Sequence, residues 1–344
     1  MHISDLDYEL PQELIAQQPL EQRDASRMLI LDRAQGTWRD SHFAELPSCL
    51  KEGDALVINN TRVFPARLVG ERDPSGGQVE FLLLREIEPA VWEALARPAR
   101  RLRVGARVRF GSSDLRGEVL ASVDDEVRIV RFVCTEGLQV LDQIGQTPLP
   151  PYIRRPAGPS EADRERYQTV YASQKGAIAA PTAGLHFTGR LLDELVSRGV
   201  QIAEVTLHVG YGTFEPVRVE EISRHHVAPE RFEISKQAAD AINKARAGGG
   251  QVLAVGTTTT RALESAARKD LRVKPGAGVA QITIIPGHRF RIVDRLLTNF
   301  HLPRSSLLLL VSAFAGRDLV LAAYRHAVRA RYRFYSYGDC MLIT

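Results

Sequence analysis

The sequence predicts an α/β protein whose mostly parallel sheet is covered by helices and interrupted by a small antiparallel β unit. Two observations support this prediction. Helical and strand-like segments alternate from residue 147 onward, an order that implies parallel strands joined by helices. Between residues 63 and 146, short strand-like segments alternate with turn residues at intervals of about ten residues, which is typical of a small barrel or sandwich.

The N-terminal part contains one apolar strand with a polar exit loop, "ALVINNTRVFPARL", but no sheet of its own. We therefore expect this strand to join the later sheet, which makes the β unit an insertion. The predicted domains are a main α/β domain of residues 1–62 and 147–344 and an inserted β domain of residues 63–146.

The helices of the second half have recognisable ends. Thr188 is predicted to cap a helix that stops at Gly199, and Ser235 is predicted to cap a second helix that ends at a triple glycine. The segment "TTTTRALESAAR" opens a third helix. Strands are predicted at "EVTLHVG", "VLAVG" and "VAQITII". The apolar run Leu307–Val311 is too short to cross a membrane and predicts a buried strand.

Composition sets the broad class. A length of 344 residues is enough for about two domains, and 44% hydrophobic with 25% charged residues is typical of a globular chain, not a disordered or fibrous one. The N-terminal segment has no apolar signal-peptide core, so a cytoplasmic protein is expected. The net charge of +4 is too small to prove a nucleic-acid partner.

Basic residues are nevertheless concentrated in two segments. "RPARRLRVGARVRF" places six arginines between Arg97 and Arg109 without an acid, and "YRHAVRARYRFYSYG" interleaves arginine with tyrosine and phenylalanine. Arginine binds phosphate, and aromatic rings stack on unpaired bases. A solvated strand face for the first segment and the edge of a core for the second explain the composition equally well.

Polar residues gather at the junctions between predicted strands and helices. "AAPTAGLHFT" places Thr182, Gly184 and His186 in a loop before a helix, where free backbone N–H groups suit an anion. A glycine turn with a structural histidine is the alternative.

A second junction, "VTLHVGYGTFEPV", follows a strand with a histidine and two glycines. Its candidate residues are His208, Gly210, Thr213 and Glu215. Ligands in open α/β sheets bind beyond the carboxyl ends of strands, so this loop is suitably placed. His208 is a candidate general base, and a core histidine with satisfied hydrogen bonds is an equally good explanation.

The third junction, "VLAVGTTTTRALE", passes from a strand through glycine and four threonines into a helix. Such a turn, which includes Thr257, can hold an anion or ribose hydroxyls with backbone N–H groups and side-chain oxygens. It lacks the lysine of a P-loop and the glycine spacing of a dinucleotide fold. Helix capping without a ligand is the alternative.

Two later segments carry further polar candidates. "VDRLLTNFHLPRSS" contains Asp294, Asn299 and His301, and "RFYSYGDCMLI" contains Asp339. We expect the "TNFHLPRSS" loop to reach the cavity of the "APTAGLHFT" loop. That arrangement requires the following apolar strand to run antiparallel to its neighbours, because ligands bind at the carboxyl edge of a parallel sheet.

Seven segments, in order, resemble the successive motifs of the S-adenosylmethionine:tRNA ribosyltransferase-isomerase family of queuosine-pathway enzymes. They are "LPPYIRR", "ERYQTVYA", "APTAGLHFT", "VTLHVGYGTF", "VGTTTTRALE", "LLTNFHLPRSSLLLLVSAFAG" and "YRFYSYGDCMLI". The resemblance extends from "DLDYELPQELIAQQP" to the last residue. Departures are small: Arg304 stands where lysine is usual, and His288 stands where an aromatic residue is common.

The resemblance implies a distorted, barrel-like α/β main domain with an inserted small antiparallel β-barrel. It implies a cytoplasmic transferase and isomerase that attaches the ribosyl part of S-adenosylmethionine to 7-aminomethyl-7-deazaguanine at the wobble position of a tRNA. Epoxyqueuosine forms, and adenine and methionine leave. S-adenosylmethionine is the ribosyl-donor co-substrate, no metal is implied, and a monomer is expected.

This chemistry requires a base for the attacking amine, a proton for the leaving adenine and a second base for epoxide formation. The catalytic candidates are His186, His208, His301, Asp294 and Asp339. The candidates for S-adenosylmethionine binding are Thr182, Gly184, Gly210, Thr213, Glu215, Thr257 and Asn299. The candidates for RNA binding are Arg154, Arg329, Arg331, Arg333 and Tyr337.

Two other functions stay open at this point. An S-adenosylmethionine-dependent RNA methyltransferase would need a glycine-rich first strand-turn-helix followed by an acidic residue, and the sequence shows neither clearly. A non-catalytic RNA-binding protein would explain the arginine and aromatic residues but not the polar loops at strand ends.

Overall fold

The structure, a computed structural model, describes residues 1–135, 140–156, 158–210, 217 and 219–344. The chain divides into two compact units. The first comprises Met1–Arg62, Pro151–Arg154 and Gln168–Thr344, and the second comprises Val63–Pro150 and Arg155–Tyr167. The second unit thus contains the predicted insertion together with residues 147–150 and Arg155–Tyr167.

The strands among the described residues are β1 (Arg27–Asp32), β2 (Thr37–His42), β3 (Ala55–Asn59), β4 (Thr61–Val63), β5 (Arg67–Asp73), β6 (Gln78–Glu88), β7 (Val91–Arg97), β8 (Arg107–Arg109), β9 (Arg116–Ser122), β10 (Val127–Val133), β11 (Gln174–Ala177), β12 (Gln201–Leu207), β13 (Glu230–Ile234), β14 (Val252–Val255), β15 (Gly276–Ala280), β16 (Arg295–Asn299) and β17 (Cys340–Ile343). The α-helices are α1 (Val140–Ile144), α2 (Glu161–Arg166), α3 (Gly189–Ser197), α4 (Lys236–Ala247), α5 (Thr257–Ser265), α6 (Ser306–Ala315) and α7 (Arg317–Arg329).

The first unit is built on a nine-stranded sheet with the order β15-β13-β12-β3-β14-β16-β17-β1-β2. Strands β12, β3, β14 and β16 run parallel to one another. Strand β17 is antiparallel to β16 and parallel to β1, and β13 is antiparallel to β12. The α/β fold class is confirmed, and β3 joins the later sheet, as predicted.

Helices cover both faces of this sheet. Along β3, Ala55 and Val57 pack into the hydrophobic cluster that contains the buried face of α4, while Leu56 and Ile58 pack into the cluster that contains α3. A strand buried on both faces is expected to be continuously apolar, because each side chain meets a helix whichever way it points.

The predicted helix starts are confirmed by their caps. The Thr188 hydroxyl accepts the N–H of Leu191 at 3.2 Å, and the Ser235 hydroxyl accepts the N–H of Ala238 at 3.1 Å. Each bond satisfies a backbone donor that has no acceptor within its own helix.

The prediction of a strand at Leu307–Val311 is wrong, because this run lies inside α6. The Ser305 hydroxyl caps α6 by accepting the N–H of Leu308 at 3.2 Å. Residues Leu308–Val311 are all buried. A helix that packs on several sides is apolar all round, so a short run of its sequence looks like a buried strand.

The strand predicted at "VAQITII" is also largely wrong, because β15 ends at Ala280. Its partner β13 begins at Glu230, which pairs with Ala280. Residues beyond Ala280 therefore have no strand beside them with which to form a ladder.

The second unit contains a closed antiparallel barrel with the order β10-β7-β6-β5-β8-β9. The rings of Phe81, Phe110 and Phe132 fill its interior, with centroids 5.9 to 6.4 Å apart. This barrel confirms the predicted antiparallel β unit.

Among the described residues, no single helix has the length and apolar composition needed to cross a membrane. Helices α6 and α7 have the necessary length and apolar composition only when they are taken together, and the two helices are bent by 116° where they meet.

Candidate active site at the carboxyl edge of the main sheet

Several of the predicted strand-to-helix junctions lie at one edge of the main sheet, because of the directions in which its strands run. Parallel strands β12, β3, β14 and β16 all end there, and antiparallel strands β13 and β17 begin there, since Leu207 pairs with Phe232 and Asn299 pairs with Cys340. Residues from distant parts of the sequence therefore meet at this carboxyl edge, where ligands bind in open α/β sheets.

A cleft with an empty volume of about 500 Å³ lies at this edge, within the first unit. Four predicted site residues, Thr182, Thr257, Asn299 and His301, line it. The full lining comprises Tyr152, Ala180, Pro181, Thr182, Ala183, Val209, Gly256, Thr257, Thr258, Thr298, Asn299, His301, Leu307, Tyr335 and Ser336.

Asn299, the last residue of β16, connects the cleft wall to the residues behind it. Its Oδ1 accepts the Thr182 hydroxyl at 3.0 Å, and its Nδ2 donates to the Tyr335 carbonyl at 3.1 Å. The same Nδ2 lies 3.4 Å from Nε2 of His186. The "TNFHLPRSS" and "APTAGLHFT" loops therefore lie side by side, as predicted, although α6 and not an antiparallel strand follows the first of them.

His301 lines the cleft and is 5% exposed. Its Nε2 lies 2.8 Å from the Thr298 hydroxyl, its backbone N–H donates to the Tyr324 hydroxyl at 3.2 Å, and the Tyr8 hydroxyl donates to its carbonyl. Burial lowers the pKa of His301 to about 3, so the imidazole is neutral at pH 7. These bonds fix the ring in a defined orientation.

His186 lies behind the cleft wall and does not line the cleft. Its Nδ1 is 3.1 Å from the Ser26 hydroxyl, and its ring packs on Phe43 at a centroid distance of 5.1 Å. Burial, with the nearby positive charge of Arg333, lowers the pKa of His186 to about 4. In this position His186 contacts the cleft-lining residue Asn299 from behind.

His208 follows β12 at the same edge but does not line the cleft either. Its Nδ1 lies 2.8 Å from the Thr61 hydroxyl, and partial burial lowers its pKa. The next candidate, Gly210, donates its N–H to Oε1 of Glu230 at 3.2 Å. Thr213 and Glu215 lie outside the described residues.

The two predicted catalytic aspartates lie at opposite edges of the sheet. Asp339 precedes β17 at the carboxyl edge and is 1% exposed, and its carboxylate accepts the backbone N–H groups of Arg27 at 3.0 Å and Arg333 at 2.7 Å. Burial raises the pKa of Asp339 despite these donors. Asp294 precedes β16 at the amino edge, where its Oδ2 accepts the N–H of Val252 at 2.9 Å. The structure does not bring Asp294 to the cleft.

At two positions of this edge, the local structure requires glycine. Gly184 lies in the buried 3-10 turn Thr182–His186, and a Cβ there would be 2.1 Å from the Tyr171 hydroxyl. Gly256, between β14 and α5, has φ +89°, a conformation that L side chains rarely adopt. Gly256 lines the cleft, whereas the predicted site residue Gly184 does not.

Three of the cleft residues that were not predicted, Tyr152, Tyr335 and Ser336, lie together. The rings of Tyr152 and Tyr335 meet edge to face with centroids 4.0 Å apart, and the Tyr152 hydroxyl bonds to the Ser336 hydroxyl. The signal was present, because Tyr152 belongs to "LPPYIRR" and the other two belong to "RFYSYGD". Together they form an aromatic wall of the cleft.

The predicted RNA-binding residues differ in exposure. Arg154, Arg329 and Arg331 are exposed, whereas Arg333 is half-buried and donates to the Gln18 carbonyl. Tyr337 is 4% exposed, so its ring does not offer a face to a base. The aromatic residues of this segment belong mostly to the core, with Tyr332 and Phe334 fully buried.

Across the described ranges, no group of three or more His, Cys, Asp or Glu side chains is placed to hold a metal ion. The cleft therefore offers a neutral imidazole, an oriented amide, threonine hydroxyls and an aromatic wall as its chemical groups.

Comparisons with known proteins agree over the whole chain. A family model described as queuosine biosynthesis protein matches residues 3–343. Relatives named S-adenosylmethionine:tRNA ribosyltransferase-isomerase include one from Symbiobacterium thermophilum, 52% identical over 345 residues, and one from Desulforamulus reducens, 49% identical over 344 residues, each alignment covering 100% of both chains. A crystal structure of S-adenosylmethionine tRNA ribosyltransferase from Thermotoga maritima is 36% identical with a TM-score of 0.56, covering 99% of this chain and 100% of that one.

Proposed function

Because the chain belongs to the queuosine biosynthesis protein family, we propose that it is an S-adenosylmethionine:tRNA ribosyltransferase-isomerase. It transfers the ribosyl part of S-adenosylmethionine to tRNA and isomerises it. The acceptor is the amine of 7-aminomethyl-7-deazaguanine at the wobble position, and the products are epoxyqueuosine-tRNA, adenine and methionine. The observation that supports this most is the cleft at the carboxyl edge, which combines an aromatic wall with oriented polar groups.

The cleft residues fit the chemical parts of these substrates. The rings of Tyr152 and Tyr335 suit a nucleobase face or a sulfonium cation. Thr182 and Asn299 are held by each other at 3.0 Å, so they can direct hydrogen bonds to ribose hydroxyls without reorganising.

His301 is the proposed proton carrier in the cleft. Its buried imidazole is neutral at pH 7, so it can accept the proton that the acceptor amine loses as the new bond forms. Its pKa of about 3 makes it a weak base that holds this proton only transiently. An imidazolium with a pKa of about 3 is a strong acid, so it passes that proton on readily, and the leaving adenine needs one. His186 acts behind it as a positioning residue that holds Asn299.

His208 and Asp339 are proposed for the second proton transfer, which forms the epoxide. Both lie at the carboxyl edge, although neither lines the cleft. The raised pKa of Asp339 makes its carboxylate a stronger base than an ordinary aspartate. Its two backbone donors, from Arg27 and Arg333, keep it in one orientation.

The tRNA partner is proposed to contact the exposed guanidinium groups of Arg154, Arg329 and Arg331, which suit phosphate oxygens. We further propose that the enzyme works as a monomer in the cytoplasm and needs no metal. Size-exclusion chromatography with light scattering, and activity after treatment with a chelator, test the oligomeric state and the metal requirement.

Product analysis tests the function itself. The protein is incubated with ribose-labelled S-adenosylmethionine and tRNA that carries 7-aminomethyl-7-deazaguanine, with tRNA that carries unmodified guanine as the control. Adenine, methionine and labelled tRNA are expected only with the modified tRNA. Formation of S-adenosylhomocysteine would identify a methyltransferase instead, and binding without any product would identify an RNA-binding protein.

A further inference from the structure

A second cavity with an empty volume of about 380 Å³ lies beside the cleft. Thr257, Thr258 and Leu307 line both cavities, so the two share a wall at the start of α5. The second cavity has a different chemical character. Its other lining residues include the aliphatic side chains of Ile284 and Leu310 and the guanidinium-bearing Arg261. Among the residues that the structure describes, no aromatic ring lines it.

The shared wall presents unused backbone donors. The first N–H group of α5 with an intrahelical acceptor is that of Thr260, which bonds to the Gly256 carbonyl at 3.2 Å. The N–H groups of Thr257, Thr258 and Thr259 precede it and have no acceptor in the part of the chain that the structure describes. The positive end of the helix dipole is located here, which favours an anion.

The threonine hydroxyls supply a second, independent observation. Those of Thr259 and Thr260 turn back to the backbone carbonyls of Val255, at 2.6 Å, and Gly256, at 3.1 Å. Those of Thr257 and Thr258 have no hydrogen-bond partner within the described ranges, although each residue is only 7% exposed and lines both cavities. Neither hydroxyl oxygen is sealed from solvent, so both are accessible from the cavities and can bond to a polar ligand group.

Arg261 lines the second cavity, and its charge is already paired within the protein. Its guanidinium forms a buried ion pair with Glu230 and donates to the carbonyls of Ala228 at 3.1 Å and Ala280 at 2.9 Å. Its charge is matched by the Glu230 carboxylate, so the start of α5 remains the electropositive feature beside the cavity. The aliphatic walls suit methylene groups. The matching ligand is therefore a short aliphatic chain that ends in a carboxylate.

We propose that the second cavity binds the methionyl arm of S-adenosylmethionine, whose carboxylate accepts hydrogen bonds from the N–H groups at the start of α5 and from the Thr258 hydroxyl. This inference rests on the proposed function, because it takes S-adenosylmethionine as the substrate. The ribose then lies at the shared wall, within reach of the cleft residues Asn299 and His301.

The test compares S-adenosylmethionine with its decarboxylated form, which lacks only the carboxylate. Binding is measured by calorimetry in the presence of tRNA with unmodified guanine, which cannot accept the ribosyl group. Wild-type protein is expected to bind S-adenosylmethionine at least tenfold more tightly, because the decarboxylated ligand has no charged acceptor for the hydrogen bonds from the start of α5. Thr258→Val is expected to weaken S-adenosylmethionine binding about tenfold and leave the decarboxylated ligand within about twofold.

Two further variants separate ligand contact from folding. Thr258→Ser keeps the hydroxyl and should restore the preference for the carboxylate. Thr260→Val removes a hydroxyl that faces Gly256 instead of the cavity, and it should leave the ratio of the two affinities unchanged. Equal wild-type affinity for both ligands, or equal weakening of both by Thr258→Val, would overturn the inference. Failure to bind either ligand would instead contradict the proposed function.

Discussion

Glu264→Gln is expected to lower the free energy of unfolding by about 2–4 kcal/mol at pH 7. The Glu264 carboxylate is buried on α5, where Oε1 accepts the N–H groups of Ile292 and Val293, both at 3.0 Å, and Oε2 accepts that of Arg291 at 2.9 Å. Gln keeps one oxygen for two of these donors but turns an NH₂ group toward the third. The loss of one charge-assisted bond costs about 1.5–3 kcal/mol, and the orphaned donor adds to it.

The destabilisation by Glu264→Gln depends on pH, and the direction of this dependence follows from the direction in which the pKa of Glu264 is shifted. Burial alone would raise the pKa of Glu264, but the His288 imidazole 3.7 Å away and the hydrogen bonds from the three N–H groups together outweigh burial and lower it. A carboxyl with a lower pKa in the folded state stabilises the protein above its unfolded pKa, which is about 4.3 for glutamate. This contribution is lost as the pH falls through the folded-state value. The difference between wild type and variant should therefore be full at pH 7 and narrow below about pH 4.

Urea denaturation followed by tryptophan fluorescence measures the difference in a Trp92→Phe background, where the tryptophan that remains is Trp38 of the first unit. The control is Glu194→Gln on α3, because Glu194 forms an exposed pair with Arg198 at 2.9 Å. That pair is worth at most about 0.5 kcal/mol. The reasoning is refuted if Glu264→Gln lies within about 0.5 kcal/mol of wild type at pH 7, or if the difference stays constant down to pH 3.

Three further outcomes are expected. His301→Gln should lower kcat about 10²-fold or more, and, since the pKa of His301 is about 3, the wild-type rate profile should show no His301-dependent limb between pH 5 and 8. Gly184→Ala should lower stability by about 1–3 kcal/mol in thermal unfolding, because its Cβ would meet the Tyr171 hydroxyl at 2.1 Å, and an unchanged Tm would contradict this. Alanine at Arg329 and Arg331 should weaken tRNA binding and reduce the log–log salt slope by about 0.7–0.9 per lost phosphate contact; an unchanged slope would indicate a merely solvated face.

The sequence predicted correctly those helices whose first residues are capped by a neighbouring side chain. The caps at Thr188 and Ser235 are contacts within one helical turn, so the sequence contains everything that determines them. The position of β3 in the sheet was also predictable, because its first four residues are apolar and must be buried on both faces.

The errors arose where the outcome depends on distant residues. Whether Leu307–Val311 is a strand or a helix depends on what surrounds it, and only the cap at Ser305 marked the helix. Asp294 and Asn299 are five positions apart in one motif, yet β16 carries them to opposite edges of the sheet. The tyrosines and arginines that follow α7 alternate in sequence, but the core buries the ring of Tyr337.

The place of β17 in the sheet has a consequence for how the protein is made. Strand β1 is paired with β2 on one side, but its other neighbour is β17, which is synthesised more than 300 residues later. Until then, the buried edge of β1 and the edge of β16 are both open templates for pairing with other chains. The carboxyl edge is equally incomplete, because Asp339 and the Tyr335 part of the aromatic wall arrive with the same segment. A ribosome that stops early therefore releases a chain that is inactive and also prone to aggregate.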